Sequence, residues 1–389
     1  MQKLVNHLVP ALFILAAIAA CGGGSSLDSS GSSGCSATEL SNCTSPAACV
    51  AVGGSWDGVA CSSGADSYVC ANGGDSTDSD LDLIPDACDP CPVPESTTFC
   101  QLYGNQGATF PNWQERAAAV LTNSVRMAPL AYRSSYGADF QPSLAPVLSQ
   151  ANYPAVDPLY YLAALNQAAR SHSDDMNSNC GSLQHNSCDG TDSFVRIAGF
   201  YPCGGDQAEN IAYSSEEGPR LIINQWLCDS TGDVCCADGA SCDGHRRNIM
   251  AADYKLLGVG YSAPDQLGHT FTQDFGANEC SGNNVYKSKL VDGSHIFYSG
   301  EIRFLATFFD SAGSAPHQVR LVLAGVSHPM TLDMGAASRG TYRWATAEAA
   351  GCRSYHFEAV DANNFVYRYP ASGELRSTGE GGCGETYTP

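Results

Sequence analysis

Five aspartates and one backbone carbonyl follow one another at the spacing of a loop that wraps a calcium ion. The carboxylates stand at positions 1, 3, 5, 9 and 12 and the carbonyl at position 7, which are Asp78, Asp80, Asp82, Asp86, Asp89 and Ile84. Ca²⁺ prefers oxygen ligands supplied at this kind of alternating spacing. Five carboxylates so close together would repel one another without a cation. The spacing therefore predicts a calcium site in loop 78–92.

This acidic run resembles a thrombospondin type 3 calcium repeat over about fifteen residues. Leu83 stands where such loops usually have Gly, and a sharp turn with positive φ suits Gly best, so we expect a reduced affinity. An acidic, solvated linker is the alternative interpretation. Cys88 and Cys91 are separated by two residues in a cysteine-rich segment. In such a segment we expect structural disulfides rather than a redox pair.

The N-terminus has the pattern of an export signal. Lys3 precedes an apolar run from Leu8 to Ala20, too short for a membrane-spanning helix, so residues 1–20 are predicted to be a signal peptide. The run ends in Ile-Ala-Ala-Cys, which resembles a bacterial lipobox and predicts lipidation of Cys21. Gly22 at the next position resembles lipoproteins of an outer membrane. Ordinary secretion with nearby cleavage is the alternative.

The charge and cysteine content of the chain restrict its binding partners and its location. The chain of 389 residues has 19 Lys and Arg against 40 Asp and Glu, a formal net charge of -21. This charge repels phosphate backbones, so no nucleic-acid partner is expected. It also opposes adhesion to anionic lipid, which leaves the predicted lipid anchor as the contact with a membrane. The 19 cysteines predict an oxidising, extracytoplasmic location, at the outer membrane or cell surface of a bacterium.

Cysteine spacing divides the chain. Apart from Cys21, eight cysteines lie between Cys35 and Cys100, eight between Cys180 and Cys280, and two remain, Cys352 and Cys383. Each group is even, as independently oxidised units require, and either group of eight allows 105 pairings. The predicted units are a Gly/Ser tether at 21–34, a disulfide-rich segment at 35–104, a larger domain at 105–283 and a last domain at 284–389, in which Cys352 and Cys383 can form the one internal disulfide.

Residues 105–283 have the pattern of helices over a small sheet, an α+β layer structure. Three helices are predicted to begin at capping pairs, namely Asn112 with Glu115, Asp157 with Pro158, and Ser214 with Glu217. Two short β-like runs follow, at Leu257–Tyr261 and Thr270–Phe275. His172 shares the apolar face of the second helix, which predicts a buried, hydrogen-bonded core histidine.

Residues 284–389 alternate with a period of two. The apolar positions are Ile302, Phe304, Ala306 and Phe308, then Val319, Leu321 and Leu323, then Tyr355, Phe357 and Ala359. Turn-forming residues at 310–313 and 361–364 separate these runs. The pattern predicts an immunoglobulin-like β-sandwich, whose default role is that of a spacer or adhesive module.

Residues 110–280 resemble the CAP superfamily, also called the SCP or pathogenesis-related-1-like family. The matching segments occur in the family's order: Asn123-x-x-Arg126, Ala168 to Met176, His185-Asn186, Arg196, Ala208 to Ile211, Trp226, Gly244 to Ile249, Gly258 to Tyr261, and Thr272 to Gly276. Each segment alone is a weak signal, whereas their order and spacing together are specific. The resemblance implies an αβα sandwich with a central cleft.

The resemblance also implies a tetrad of two histidines and two acids, which falls on His185, Glu209, Asp229 and His245. Asp229 replaces the Glu of eukaryotic members and is one methylene shorter, so its carboxylate is expected to fall roughly 1.5 Å short. An insertion at 231–243 contains three cysteines and is expected to cover the cleft as a disulfide-bonded flap.

Three functions remain open for this tetrad. Two neutral imidazoles, His185 and His245, suit a divalent metal such as Zn²⁺, so the domain would bind a metal or an extracellular lipid, peptide or polymer without turnover. Alternatively, Glu209 would activate a metal-bound water in a peptidase-like hydrolase, although the chain has no His-Glu-x-x-His helix and no Gly-x-Ser-x-Gly elbow. Third, the tetrad is a buried polar network within a non-catalytic scaffold or adhesion protein. An enzyme is the less favoured reading.

The lipid anchor makes a direct prediction. Cys21→Ala removes the thiol that would carry the acyl chains, so the protein should move from the membrane fraction to the soluble fraction. Immunoblotting of the two fractions measures this. A variant that still sediments with membranes would show that Cys21 is not the anchor.

Overall fold

A computed structural model describes residues 54–56, 61–63, 110–216, 218–230, 232–278, 288–347, 352–371, 373–377 and 387–388. The chain divides into two compact units, Met1–Asp66 and Ser67–Pro389. In the first unit, strands β1 (Gly54–Trp56) and β2 (Cys61–Ser63) pair as an antiparallel hairpin. The predicted signal peptide, Cys21, the calcium loop and Cys383 all lie outside the described residues. No helix within the described ranges is long and apolar enough to cross a membrane.

The second unit begins, in its described part, with helix α1 (Trp113–Met127), which starts at the predicted capping pair. The Glu115 backbone N–H donates to Asn112 Oδ1 at 3.0 Å, and the Asn112 N–H donates to Glu115 Oε2 at 2.9 Å. These two bonds satisfy N–H groups that have no partner inside the helix. A short helix, α2 (Pro129–Ser135), follows. Apart from Gln114, every residue of α1 is buried, so this helix has no solvent face.

A four-stranded sheet lies against α1. Its strands are β3 (Tyr160–Tyr161), β4 (Gln207–Ser214), β5 (Leu256–Ser262) and β6 (His269–Gly276). Their order is β3-β5-β6-β4, with β3 parallel to β5 and the other pairs antiparallel. The runs predicted as β-like became β5 and β6. Strand β4 contains Glu209 and, among the strands described, pairs only with β6.

Helix α3 (Ala163–Asp174) lies on the opposite face of this sheet and continues into a wider π-helical turn at Asp175–Cys180. A Cβ added at Gly258 would lie 2.1 Å from the Leu165 carbonyl carbon, so the α3 backbone contacts the strand directly. Thr272 bonds to Ser173 of α3, whereas the next residue, Gln273, bonds to Thr122 of α1. The arrangement is α1, sheet, α3, which confirms helices layered over a mixed sheet.

The remaining helices of this part are α4 (Ser193–Phe200), α5 (Pro219–Cys228) and α6 (Gly244–Met250). Two predicted helix starts are wrong. Residues after Asp157 stay extended because β3 pairs with β5, and α3 begins only at Ala163. Ser214 ends β4, and α5 begins at Pro219 after Gly218. In both cases, pairing with a distant strand overrides a local capping signal.

Residues 288–377 form two further sheets. The strands are β7 (Leu290–Tyr298), β8 (Glu301–Phe309), β9 (Gln318–Leu323), β10 (Val326–Pro329), β11 (Thr331–Ala336), β12 (Arg339–Ala347), β13 (Arg353–Val360), β14 (Val366–Tyr369) and β15 (Glu374–Ser377), with β16 (Tyr387–Thr388) added at one edge. One sheet has the order β11-β12-β8-β7; the other has β10-β9-β13-β15-β16, with β14 also paired to β13. The period-two pattern is thus confirmed as strands, while the immunoglobulin-like topology stays a prediction.

These two sheets contact each other through aromatic side chains. The Tyr355 ring of β13 packs edge-on against Phe304 of β8, with ring centroids 4.9 Å apart. Tyr355 also has its hydroxyl 2.7 Å from Nδ1 of His295 on β7. Burial lowers the pKa of His295 well below its usual value, which keeps this imidazole neutral. Cys352, just before β13, is disulfide-bonded. Its predicted pairing with Cys383 stays a prediction.

The segments predicted as separate domains, 105–283 and 284–389, share one hydrophobic core. Helix α1 forms the boundary: Trp113 Nε1 donates to the His295 carbonyl at 2.7 Å, and Ser124 Oγ lies 2.8 Å from Thr341 Oγ1. Asn123 donates to Asp292 Oδ2 at 2.8 Å. Polar groups buried on both sides of the boundary are therefore satisfied only when the two segments are packed together.

Asp292 makes the stability of this boundary depend on pH. Burial raises the pKa of Asp292 to about 6, although the hydrogen bond from Asn123 opposes the shift. The folded protein therefore retains a proton that the unfolded chain has released between about pH 4 and pH 6. Stability from this group is complete below that window and falls, by roughly 2 to 3 kcal/mol, as pH rises through it.

Asp292→Asn should abolish that decline, because the amide stays neutral and its oxygen still accepts from Asn123. We expect the variant to be more stable than the wild type at pH 7 and equally stable at pH 4. Denaturant unfolding at both pH values measures the difference, with Asp253→Asn, an exposed aspartate, as the control. An unchanged pH slope in Asp292→Asn would contradict the assignment.

Candidate functional site

The first part of the site is a pair formed by His185 and Glu209. Strand β4 holds the Glu209 side chain at 2% exposure, and His185 Nδ1 lies 2.8 Å from Glu209 Oε1. Arg196 of α4 binds the other carboxylate oxygen and also donates to the His185 carbonyl at 2.9 Å. The imidazole itself is 52% exposed. A buried carboxylate thus fixes one ring nitrogen, and the other edge of the ring lies toward solvent.

The second part is a pair formed by His245 and Asp229. Asp229 follows the last residue of α5 and His245 is in the first turn of α6. Asp229 Oδ1 bonds to His245 Nδ1, and Asp229 Oδ2 accepts from the His245 backbone N–H at 2.9 Å. The imidazole is 34% exposed, whereas the carboxylate is 7% exposed. This pair has the same design as the first, a buried carboxylate on Nδ1 of a half-exposed imidazole.

Asp229 reaches His245 although its side chain is short. Its backbone is left-handed, with φ 48° and ψ 50°, so the chain turns sharply at the end of α5. That turn directs the carboxylate at the first N–H groups of α6. The expected shortfall of one methylene assumed an unchanged backbone, and the backbone position makes up the difference.

Two tandem disulfides close the chain between these two residues. Cys228–Cys235 encloses Asp229, and Cys236–Cys242 ends three residues before His245. Asp238 of the same insertion accepts from the backbone N–H groups of Leu148 and Ser149 at 2.9 and 2.7 Å. The predicted flap is thus tied to a neighbouring loop, and it leaves the His245 ring open to solvent.

A third disulfide, Cys180–Cys188, encloses His185 in the same way. All three disulfides join near neighbours within the second group of eight cysteines. Cys203 of that group is disulfide-bonded as well. Disulfides at this density indicate an oxidising, extracytoplasmic compartment.

The two pairs are connected through amide side chains. Asn210, next to Glu209 on β4, donates to the His245 carbonyl at 3.2 Å. Asn248 of α6 donates to Asn210 Oδ1 at 2.9 Å. The sequence segment Ala-Glu-Asn-Ile therefore positions both halves: Glu209 holds one histidine, and Asn210 holds the helix that carries the other.

His172 lies in the core, as its helical spacing predicted. It is fully buried, and its Nε2 is 2.9 Å from the Gln184 carbonyl, which accepts a hydrogen there. Its Nε2 is 3.9 Å from Glu209 Oε1. Burial lowers the pKa of His172, so the ring is neutral despite this neighbouring carboxylate.

Sequence reasoning assigned no role to two residues of this site, Arg196 and Asp274. Arg196 is the cation bound to Glu209. Asp274 lies opposite Glu209 on β6 and is fully buried. Burial, together with the charge of Glu209, raises the pKa of Asp274 well above its usual value. Only strand pairing brings these carboxyl groups together, so no local signal in the sequence identifies the contact.

An open groove of about 900 Å³ lies between α3 and α4, beside this cluster. Arg170 and Asp174 line one wall, Val195 and Phe200 the other, and Arg196 belongs to its lining. Arg170 is paired with Glu115 at 2.5 Å. The groove therefore combines a polar wall with an apolar wall next to the His185 pair.

Metal ligation at this site would depend on the two imidazoles. Within the described ranges, no group of three or more His, Cys, Asp or Glu side chains is arranged to hold a metal ion. In both pairs Nδ1 is taken by a carboxylate, which leaves Nε2 as the available nitrogen. Histidines that bind metals usually donate their second N–H to a carboxylate in this way, so each imidazole by itself has the hydrogen bonding of a metal ligand.

Comparison with known proteins supports the resemblance found in the sequence. Residues 121–275 match the sequence model of CAP, the cysteine-rich secretory protein family. None of the curated proteins matches the chain. An extracellular protein containing an SCP domain from Bacillus anthracis is 22% identical over 32% of this chain, with a TM-score of 0.26. The chain spans 35% of that protein's length.

A second solved structure, an outer surface protein from Borrelia burgdorferi, is 18% identical. The match covers 32% of this chain and 80% of that protein, again with a TM-score of 0.26. Both likenesses are too distant to transfer a ligand or an activity.

The disulfide Cys228–Cys235 should hold the Asp229 and His245 pair together. Replacing both cysteines by Ser opens the ring that contains Asp229, so its carboxylate should leave the His245 backbone N–H. Amide hydrogen exchange at His245 should then become faster, and stability should fall by about 2 kcal/mol, as expected for a short ring.

The matched control replaces Cys180 and Cys188, which enclose His185 at a similar sequence separation, 8 against 7. That variant should leave exchange at His245 unchanged. Equal acceleration of His245 exchange in both variants would indicate general unfolding, and the specific role of Cys228–Cys235 would be rejected.

Proposed function

Because residues 121–275 are a CAP domain, we propose that this part of the protein binds a divalent metal, and through it a ligand, without turnover. The metal would be held by Nε2 of His185 and Nε2 of His245. Glu209 and Asp229 would not touch the metal but would hold the two rings. The domain then acts as a binding module of an extracytoplasmic protein.

The observation that carries this proposal is the repeated carboxylate on Nδ1. A carboxylate accepts a hydrogen, so a neutral imidazole bonded to it must carry its proton on Nδ1. The lone pair is then on Nε2. In each pair the ring is half-exposed while its carboxylate is buried, which leaves the lone pair as the accessible feature.

Zn²⁺ is the metal that best suits neutral imidazole nitrogens with other coordination positions left to water or ligand. Bound there, it would act as a Lewis acid toward an oxygen or nitrogen atom of the ligand. The groove between α3 and α4 offers polar and apolar surface beside the His185 pair. Its composition would accommodate a peptide, a lipid or a polymer segment.

The contacts of Glu209 argue against a hydrolase. A general base needs a carboxylate oxygen free to take a proton from water. Glu209 Oε1 accepts from His185, and Oε2 accepts from Arg196, so both oxygens are engaged. Asp229 likewise uses both oxygens on His245. Binding therefore fits the geometry better than metal-assisted hydrolysis.

The proposal extends to the whole chain. An acylated Cys21 would hold the protein at an outer membrane or cell surface, and the Gly/Ser tether would separate it from the lipid. The loop 78–92 would bind Ca²⁺ and stiffen the segment before the CAP domain. The sheets after it would extend the scaffold toward extracellular partners.

A zinc titration of the full chain tests the metal site. We expect Asp229→Asn, which removes a carboxylate that holds a ligand, to weaken zinc binding by roughly 10- to 100-fold. His245→Ala removes the ligand itself and should weaken zinc binding by more than that. Protons compete with the metal for Nε2, so wild-type affinity should fall as pH is lowered from about 7.5 to about 5.5. Isothermal titration calorimetry measures both effects.

His317→Ala is the control, because this histidine is exposed and belongs to neither pair. It should bind zinc as the wild type does. If His185→Ala and His245→Ala also bind like the wild type, the metal proposal fails. Peptide and ester substrates added to the zinc-loaded protein separate binding from hydrolysis: turnover that disappears in the His185, His245 double variant would favour the enzyme.

A further inference from the structure

Two buried carboxyl groups face each other beneath His185. Glu209 and Asp274 are directly opposite in the β4 and β6 pairing, so their side chains lie on the same face of the sheet. That face is toward α3, because Thr272, two residues before Asp274, bonds to Ser173 of α3. Asp274 is fully buried, and the Glu209 side chain is 2% exposed.

The hydrogen-bond donors around Glu209 and Asp274 all bond to Glu209. Its Oε1 accepts from His185 Nδ1, and its Oε2 accepts from Arg196. Neither oxygen of Asp274 receives a donor from the described residues. Directly opposite residues of an antiparallel pair have Cβ atoms about 4.5–5.5 Å apart, so the Asp274 carboxyl group can reach that of Glu209. Two ionised carboxylates cannot hydrogen-bond each other, so this contact requires one proton.

The charged groups around the pair decide which acid holds that proton. Arg196 of α4 is the cation, and it contacts Glu209 rather than Asp274. His172 of α3 donates its Nε2 hydrogen to the Gln184 carbonyl and is neutral, so it supplies no second positive charge. A second buried negative charge beside Glu209 would be both desolvated and repelled. Glu209 keeps the negative charge, and Asp274 keeps the proton.

We propose that Asp274 is a positioning residue: as a neutral carboxylic acid, it donates a hydrogen bond to Glu209 and fixes the carboxylate that holds His185. Glu209 then has three donors, from His185, Arg196 and Asp274, and its carboxylate cannot rotate without losing one. The two carboxyl groups beneath His185, those of Glu209 and Asp274, then carry one negative charge instead of two. Asp274 thereby sets both the orientation of His185 and the field at its exposed Nε2.

This inference rests on the proposed function only for the use of His185 as a ligand. The hydrogen bond from Asp274 belongs to the metal-free protein and is tested there. A protein that binds no zinc would refute the proposed function and leave this inference intact. The reverse also holds, since an ionised Asp274 would not prevent metal binding.

The experiment is an NMR titration of the metal-free full chain with labelled histidine and aspartate side chains. In the wild type, the Asp274 carboxyl carbon should ionise only well above the ordinary Asp pKa, because the group is buried beside Glu209. An ionisation midpoint near the ordinary Asp value of about 4 would overturn the proposal. This measurement needs no variant, so a substitution that fails to fold cannot obscure it.

Asp274→Asn gives the second measurement. The amide is neutral and still donates, so the His185 ¹⁵N shifts, measured at one neutral pH, should stay close to those of the wild type. If Asp274 were ionised in the wild type, removing its charge would change those shifts clearly, and the proposal would be wrong. Glu209→Gln removes the charge in direct contact with His185 and must change the shifts, which shows that the probe responds.

Asp274→Leu separates positioning from general stability. Leu has a similar shape and no donor, so Glu209 should lose one of its three restraints and the His185 ring should lose its preference for the Nδ1–H tautomer. The histidine ¹⁵N shifts report the tautomer, and those of buried His295 report whether the fold persists. Asp274→Asn should keep the tautomer of the wild type. Equal ¹⁵N shifts of His185 in Asp274→Leu and Asp274→Asn would contradict a positioning role.

Discussion

Helix α1 is buried along its whole length apart from Gln114, and the packing of both segments follows from that burial. A helix with no solvent face needs apolar or satisfied polar partners all around it. The sheet β3-β5-β6-β4 covers one side, and the sheet that contains β7 and β8 covers the other. Neither half of the chain could expose α1 without also exposing Asn123, Ser124 and the apolar residues between them. Residues 105–283 and 284–389 therefore pack against the same helix, although the cysteine pattern divides them.

The same constraint fixes the site. With α1 on one face, α3 must lie on the other, and Gly258 and Gly260 let its backbone approach closely. His172, Glu209 and Asp274 then meet in the layer under α3, where water is excluded. The histidines that reach solvent, His185 and His245, are in segments that leave this core. Each is held by a carboxylate, and a short disulfide ring encloses His185 in one pair and Asp229 in the other.

Local signals in the sequence were enough where neighbouring residues supply the interaction. Asn112 and Glu115 cap α1 with each other, and the alternating residues of β8, β9 and β13 form strands because every second side chain is buried. The helix predicted from Asp157 was wrong because Lys255 and Leu257, about a hundred residues later, hydrogen-bond to residues 160 and 162. A one-dimensional pattern does not contain such a partner.

The candidate site shows the same limit. Family resemblance placed His185, Glu209, Asp229 and His245 in one tetrad, but it gave no role to Asp274, whose importance comes from strand register alone. The expected shortfall at Asp229 neglected the left-handed backbone at the end of α5. Side-chain length can be read from a sequence, whereas a compensating turn of the main chain cannot.

The short disulfide rings have a consequence for when the site comes into existence. Cys180–Cys188 and Cys228–Cys235 each enclose one member of a histidine pair, and neither bond persists in a reducing cytosol. If the chain is exported as proposed, the nascent chain has the same residues without the covalent restraints that align them. Oxidation after translocation would then align both histidine pairs, so the proposed zinc site would form only at the protein's destination.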